Sequence, residues 1–350
     1  MNKYLFTVGT YAEADTDSIF WYQADFAQGK FTRQAAYRGV SCPSYLLQGK
    51  NGLLYAVEEL APDGNIAVYI RSADGIQKRR ELPSNGAHPC HLAIDEKERF
   101  LFAANYTSGS LAMFEIDAEG LPRALCFLKQ HAGKGMNLKR QEGAHVHFSK
   151  AKEGLLYVCD LGLDTVFCYR INAEKKALEE TDRNLRLPDG NGPRHLCFHP
   201  KRGGWLFVFA ELTARIFVFH QKDGVFALKQ EILSLPAERT AVNLGAAIKP
   251  SEDGKYFFVS NRGDDSVTAF LVTEEGLLTS LHTCATGGKA PRDIEVFGDY
   301  IIIANQDSSS LTALRFNRAQ GRLEQTRMRE TVPLPSCIAR AEWDPCFLRR

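Results

Sequence analysis

Histidines, arginines and carboxylates recur at two kinds of place in this sequence, and together they suit the opening of an ester-type bond. Just after short polar clusters, most of them led by proline, stand His91, His145 with His147, Arg194 with His195, and Arg292 with Asp293. At the ends of aromatic and aliphatic runs stand Glu58 with Glu59, Asn105 with Tyr106, Asp160, Glu211, Asn261 with Arg262, and Asn305 with Gln306. Such a reaction needs an activated water, a stabilised oxyanion and a protonated leaving oxygen. A neutral histidine, with a reference pKa of about 6.5, suits the first task, and nearby arginines would hold it lower. His147 is the candidate base, and Glu211 can either orient an arginine or act as base itself. One arginine can stabilise the developing charge, worth roughly 3 to 4 kcal/mol for a well-placed donor. Others can grip an anionic substituent through bidentate contacts.

Each of these residues also has a structural reading. Asn105, Asp160, Asn261 and Asn305 suit turns because they bond loop backbone, and His91 and His195 can be satisfied structural histidines. Arg194, Arg262 and Arg292 carry permanent charges that are costly to bury unpaired. Three of them near one axis indicate an anionic ligand, the alternative being a mutual network with Glu211 and Asp293.

What would bring these residues together is a repeat. The stretch from Gly190 to Phe219 contains a proline-led cluster, a short apolar strand LCF, a turn, a second strand WLFVFA, a polar break at Glu211 and Thr213, and a third strand RIFVFH. Copies begin at His88, Ala144, Gly245 and Ala290, with weaker ones around YLFTVGTY and CPSYLLQ. The centres of the second strands are Phe6, Tyr55, Phe102, Tyr157, Phe207, Phe258 and Ile302. They are separated by roughly 45 to 55 residues, the period of a propeller blade. The predicted fold is therefore all-β: a seven-bladed β-propeller of four-stranded antiparallel blades, forming one domain over residues 1–350. The strand from Tyr4 to Tyr11 has no inner strand ahead of it, whereas VPLPSCIAR near the other end has the shape of one. Pairing the two closes the ring and removes the exposed sheet edges, leaving 342–350 as a tail. In each blade the start of the inner strand lies beside the end of the second. All the residues named above then meet at one mouth of the channel. The polar stretch from His131 to Glu142 reads as a loop between blades, either a solvated connection or a cover over the substrate.

Composition narrows the function. With 43 basic and 42 acidic residues in 350, the chain carries no nucleic-acid or membrane-surface footprint. The nine cysteines include no CxxC pair and fall mostly in strands, as with Cys126, Cys159, Cys168 and Cys197, so reduced thiols in a cytoplasmic protein are expected. Neither a secretory leader nor a membrane span is expected. There is no GxSxG elbow, HExxH motif or phosphate-binding glycine loop.

The ordered motifs GPRHLCFHP, AEL at 210–212, AHVHF, VSNRGDDSV, APRD and ANQDSSS resemble the lactonase propeller family, best known through propeller-type 6-phosphogluconolactonases, along essentially the whole chain. The resemblance implies hydrolysis of the lactone of 6-phosphogluconate in the pentose phosphate route, with catalytic positions at His147, Arg194, Glu211 and Arg262. The turn after AHVHF is one residue short of the family pattern and lacks its proline-aspartate, so His145 competes with His147 for the family position. His91, Asn105, His145, His195, Arg292 and Gln306 are the expected substrate-binding residues. The expected partner is a small anionic sugar lactone, without cofactor or metal, acting on a monomer or weak homodimer. Three alternatives stay open: a calcium-type sugar lactonase using Glu211 and Asp160, a muconate-type cycloisomerase using the arginines for carboxylates, and a non-catalytic scaffold.

Overall fold

The computed structural model describes residues 3–72, 75–236, 238–239 and 242–341. The runs read as second strands are Lys3–Thr10, Leu53–Glu58, Phe100–Asn105, Leu155–Asp160, Trp205–Ala210, Tyr256–Arg262 and Tyr300–Asn305. Most of their residues are buried on both faces, as continuous apolar runs require, because another blade packs against each side. The outermost strands, such as Gly75–Pro83 and Pro122–Gln130, are largely exposed and carry the polar residues. Seven antiparallel sheets result, six of four strands and one of five, the extra strand being Leu185–Arg186.

The inner strands are Pro335–Ala341, Leu46–Gln48, Pro89–Ile94, Val146–Lys152, Pro193–Phe198, Leu244–Pro250 and Pro291–Phe297. Each contacts its neighbours around the channel and the ring is closed. Closure follows the expected route: Pro335–Ala341 pairs antiparallel with Lys3–Thr10, from Leu5 opposite Ala341 to Thr10 opposite Pro335. The expected tail over 342–350 lies outside the described residues. Ile338 of the closing strand is buried in the core shared by the first and last blades, with Phe6, Val8, Phe20 and Ile302. Ile338→Ala removes contacts on both sides of the seam. It is expected to cost about 2 to 4 kcal/mol, read as a lower urea midpoint at unchanged m-value; an unshifted midpoint would show that the seam adds nothing to stability.

Eight cysteines are free thiols among the described residues, four of them buried. No described helix is long and apolar enough to cross a membrane.

Two backbone devices recur at the start of the inner strands. First, the residue before the leading proline takes a left-handed conformation in five blades: Cys42, His88, Gly192, Ala290 and Leu334, with φ between 40 and 63°. Its carbonyl accepts the N–H of the residue just beyond the second strand of the same blade: Glu59, Tyr106, Glu211, Gln306 and Tyr11 respectively. Secondly, the pairing slips by one residue immediately afterwards. Cys90, His147, Arg194, Arg292 and Ser336 are each the extra residue of a β-bulge. A bulge leaves its residue outside the ladder and re-aims the side chain. The fold thus makes a ring of side chains at the channel mouth from equivalent positions of successive blades.

Candidate active site

The bulge residues and those just beyond the second strands form two linked clusters. The first is centred on Glu211, buried at 3% exposure. Its Oε2 lies 2.7 Å from Nη2 of Arg262 and 3.0 Å from Nε of Arg194, the latter off the line of a hydrogen bond. Its Oε1 accepts from Nη2 of Arg140 at 2.5 Å. Burial would raise the Glu211 carboxyl, yet the guanidiniums of Arg262, Arg194 and Arg140 hold it well below the usual carboxylate range. Arg194 also donates from Nη1 to His195 Nε2 at 2.9 Å and to the Ala246 carbonyl at 2.8 Å. Burial and the charges of Arg262 and Arg292 lower its pKa to about 10, which leaves it cationic at neutral pH.

The second cluster is built on Tyr11. Arg292 Nη2 donates to the Tyr11 hydroxyl at 2.6 Å, its guanidinium lies 4.9 Å from the centre of that ring, and the hydroxyl donates to Glu59 Oε2 at 2.8 Å. Ser44 donates to the same carboxylate oxygen. Together, the arginines at 140, 194, 262 and 292 face the carboxylates of Glu59 and Glu211. Asp293 lines the same chamber as Arg194, Arg292 and Glu59.

His147 lies between these clusters. It is buried, its ring is edge-on to Tyr106 at 5.7 Å and to His195 at 5.6 Å, and Nδ1 has no partner among the described residues. Burial and the neighbouring Arg194 push its pKa well below the ordinary value, against the opposing pull of Glu211, so the ring is neutral at pH 7. Tyr11, Ser44, Glu59, Cys90, His147, Arg194, Arg292 and Ser336 share a chamber of about 20 Å³. That is room for roughly one water.

The structure brings His147, Arg194, Glu211, Arg262 and Arg292 together as the sequence suggested. His145 is also at the mouth, stacked on Tyr106 at 4.5 Å and held by Glu142 Oε1 at 3.2 Å, while His147 takes the bulge. Two expectations need correction. Asn105 does not reach the mouth: its amide donates to the Ser84 carbonyl, in the link from the preceding blade, and to Ser110 of its own, the turn-bonding role that short amides favour. Asn261 accepts from Ser234, in the link from the preceding blade, and donates to Thr268 of its own, and Asn305 donates to Thr312 inside its blade. His91 sits one layer deeper, between Tyr45 at 4.2 Å and Phe148 at 4.0 Å, because the bulge position of its blade is taken by Cys90. Gln306 occupies the rim position equivalent to Glu211, and its amide donates to Asp307.

Sequence reasoning missed Tyr11, Ser44, Ser336 and Arg140 as members of the site. The first three were readable by extending the repeat register to the first, second and closing strands. Arg140 was not, because it comes from the 131–142 loop. That segment is neither a free connection nor an open cover. His131 bonds Asp160 at 2.7 Å and Tyr169 at 2.8 Å, and Gln141 donates to the Leu161 carbonyl, so the loop is pinned where Arg140 reaches Glu211. The same bonds use up the oxygens proposed for calcium: Glu211 is enclosed by guanidiniums, and Asp160 accepts from His131 and from the backbone of His145 and Leu163.

Residues 5–340 match the model of the family described as lactonase, 7-bladed beta-propeller. A 6-phosphogluconolactonase of Bacillus subtilis is 28% identical over 349 residues, covering 97% of this chain and 98% of that protein. Among solved structures, a periplasmic gluconolactonase of Pseudomonas aeruginosa superposes with a TM-score of 0.89 at 26% identity, covering 97% of this chain and 99% of that one. A protein from Lactobacillus plantarum superposes equally well, at 29% identity, over 97% of this chain and 100% of the other.

Proposed function

The chain belongs to the lactonase family of seven-bladed β-propellers, and we propose that it hydrolyses 6-phosphogluconolactone to 6-phosphogluconate, as a step of the pentose phosphate route. The observation that carries this reading is a neutral, buried histidine at the edge of a mouth on which four arginines converge. A water seated in the small chamber attacks the lactone carbonyl carbon while His147 accepts its proton. The oxyanion that forms is stabilised by Arg194, which is already oriented by Glu211 and the Ala246 carbonyl. The ring carbon–oxygen bond then breaks, and the imidazolium returns its proton to the departing oxygen, so water is added across the ester with no other reactant. Arg262 and Arg140, both more exposed than Arg194, face the rim, where a phosphate can be held.

The test is proton release from freshly generated 6-phosphogluconolactone, measured above spontaneous hydrolysis. Turnover well above background is expected, with kcat/KM for unphosphorylated gluconolactone at least about tenfold lower, because a charge-assisted contact to phosphate is lost. No acceleration of the phosphorylated lactone would refute the assignment.

A further inference from the structure

We propose that the end of the channel opposite the catalytic mouth is a second ligand site, taking a small organic anion with a flat apolar body. The inner strands finish there, and their ends enclose a space of about 650 Å³. This lies within the range of small-molecule pockets, roughly 300 to 1,000 Å³, and is far larger than the water-sized chamber on the other side. The two spaces are divided by the layer that contains Tyr45, His195 and Asp293, residues that line both.

The chemistry of the lower chamber differs from that of the mouth. Ile94, Phe148, Phe198, Ile248 and Pro250 give it apolar and aromatic walls. Three lysines line it. Lys152 lies over the Phe198 ring, 4.4 Å from its centre, and 3.9 Å from Glu153. Lys249 is neutralised by Glu295 at 2.8 Å, and Glu295 is shared with Arg340 at 2.8 Å. The Lys150 side chain is exposed within this opening and has no ion pair or hydrogen bond among the described residues; partial desolvation by the surrounding protein together with the charge of Lys249 lowers its pKa. The carboxylates along the wall are otherwise engaged: Asp95 with Arg99 and backbone N–H groups, Glu96 with the Glu153 N–H, Glu98 with Lys50, and Asp293 with the Ile338 N–H.

A second donor lies beside Lys150. His91 is buried at 3% exposure, and its Nδ1 accepts the Ser149 N–H at 3.4 Å. A neutral imidazole that accepts at Nδ1 carries its proton on Nε2, and that atom has no partner. Leaving a buried donor unpaired costs free energy that an acceptor in the chamber would recover. An unpaired ammonium, an unpaired imidazole N–H and aromatic walls together select an aromatic carboxylate or a compound of similar chemistry. This inference does not depend on which lactone the mouth hydrolyses.

The test uses 2-naphthoate as the probe, titrated by fluorescence against the full-length protein, with 2-naphthylmethanol as its uncharged counterpart. Saturable one-to-one binding is expected. Lys150→Met should weaken it at least about tenfold, as expected for loss of a charge-assisted contact, and Lys150→Arg should restore most of it. Arg140→Ala, at the other end of the channel, should leave it unchanged. The Lys150 side chain makes no hydrogen bond or ion pair among the described residues, and its strand pairing with Tyr157 is through the backbone, so its replacement leaves the blades intact. Equal binding of naphthylmethanol, indifference to Lys150→Met, loss on Arg140→Ala, or no saturation at any soluble concentration would each overturn the proposal.

Discussion

Arg194→Met is expected to lower kcat/KM for the phosphorylated lactone about a hundred- to a thousandfold, the range for removing one preorganised donor from a developing oxyanion. Arg194 is buried at 3% exposure and is tied at once to Glu211, His195 and the Ala246 carbonyl. Its position is therefore fixed before substrate arrives. Methionine fills much of the same volume, and Glu211 keeps Arg262 and Arg140, so the fold should survive the change. A second readout separates catalysis from structure. Arg194 is, after burial, the main influence lowering His147. Removing it should let the His147 pKa rise, and the acidic limb of the kcat/KM profile should move to higher pH. Arg194→Lys keeps the charge but lacks the planar fork, and recovers only part of the rate. An unmoved pH limb with a small rate loss would reduce Arg194 to a packing role.

Glu211→Gln should have the largest effect on stability. It leaves the guanidiniums of Arg140, Arg194 and Arg262 without their shared counter-charge, and breaking a buried pair in this way costs about 3 to 5 kcal/mol. The pH dependence has a definite sign. Burial raises the Glu211 carboxyl, but the surrounding guanidiniums win and hold it below its unfolded value of about 4.3. A group depressed on folding contributes stability above its unfolded pKa and loses it as pH falls below that point. Wild type should therefore lose stability steadily below about pH 4.5, and Glu211→Gln, already weaker at pH 7, should lose less over that interval. Urea midpoints at pH 7, 5, 4 and 3 measure both effects. Parallel curves for the two proteins would place the acid sensitivity elsewhere.

Much of this architecture was legible because a propeller repeats its instructions. The alternation of Pro193, Arg194 and His195 with WLFVFA recurs often enough to set the blade count. The orphan strand at Pro335 showed how the ring closes. Arg194, Glu211, Arg262 and His147 were legible for the same reason, since strand starts and second-strand ends must meet. What escaped was the local slip in pairing. A bulge moves a residue by one position, and nothing in the sequence says whether Cys90 or His91 is the extra residue, so His91 was assigned to the mouth although it lines the deeper chamber. Asn105 was misplaced because a short amide at a turn serves its own loop as readily as a ligand. Arg140 escaped because its position depends on the buried His131–Asp160 contact, a pairing across 29 residues with no periodic signature.

The most direct measurement compares wild type with His147→Gln, folding verified, in the proton-release assay with 6-phosphogluconolactone. The account predicts a fall in kcat of about a hundredfold or more with little change in KM, since general-base catalysis contributes roughly 10² to 10⁴ and the proposed mechanism uses His147 at the reacting carbon and not at the phosphate. A variant that hydrolyses the lactone at the wild-type rate would contradict it.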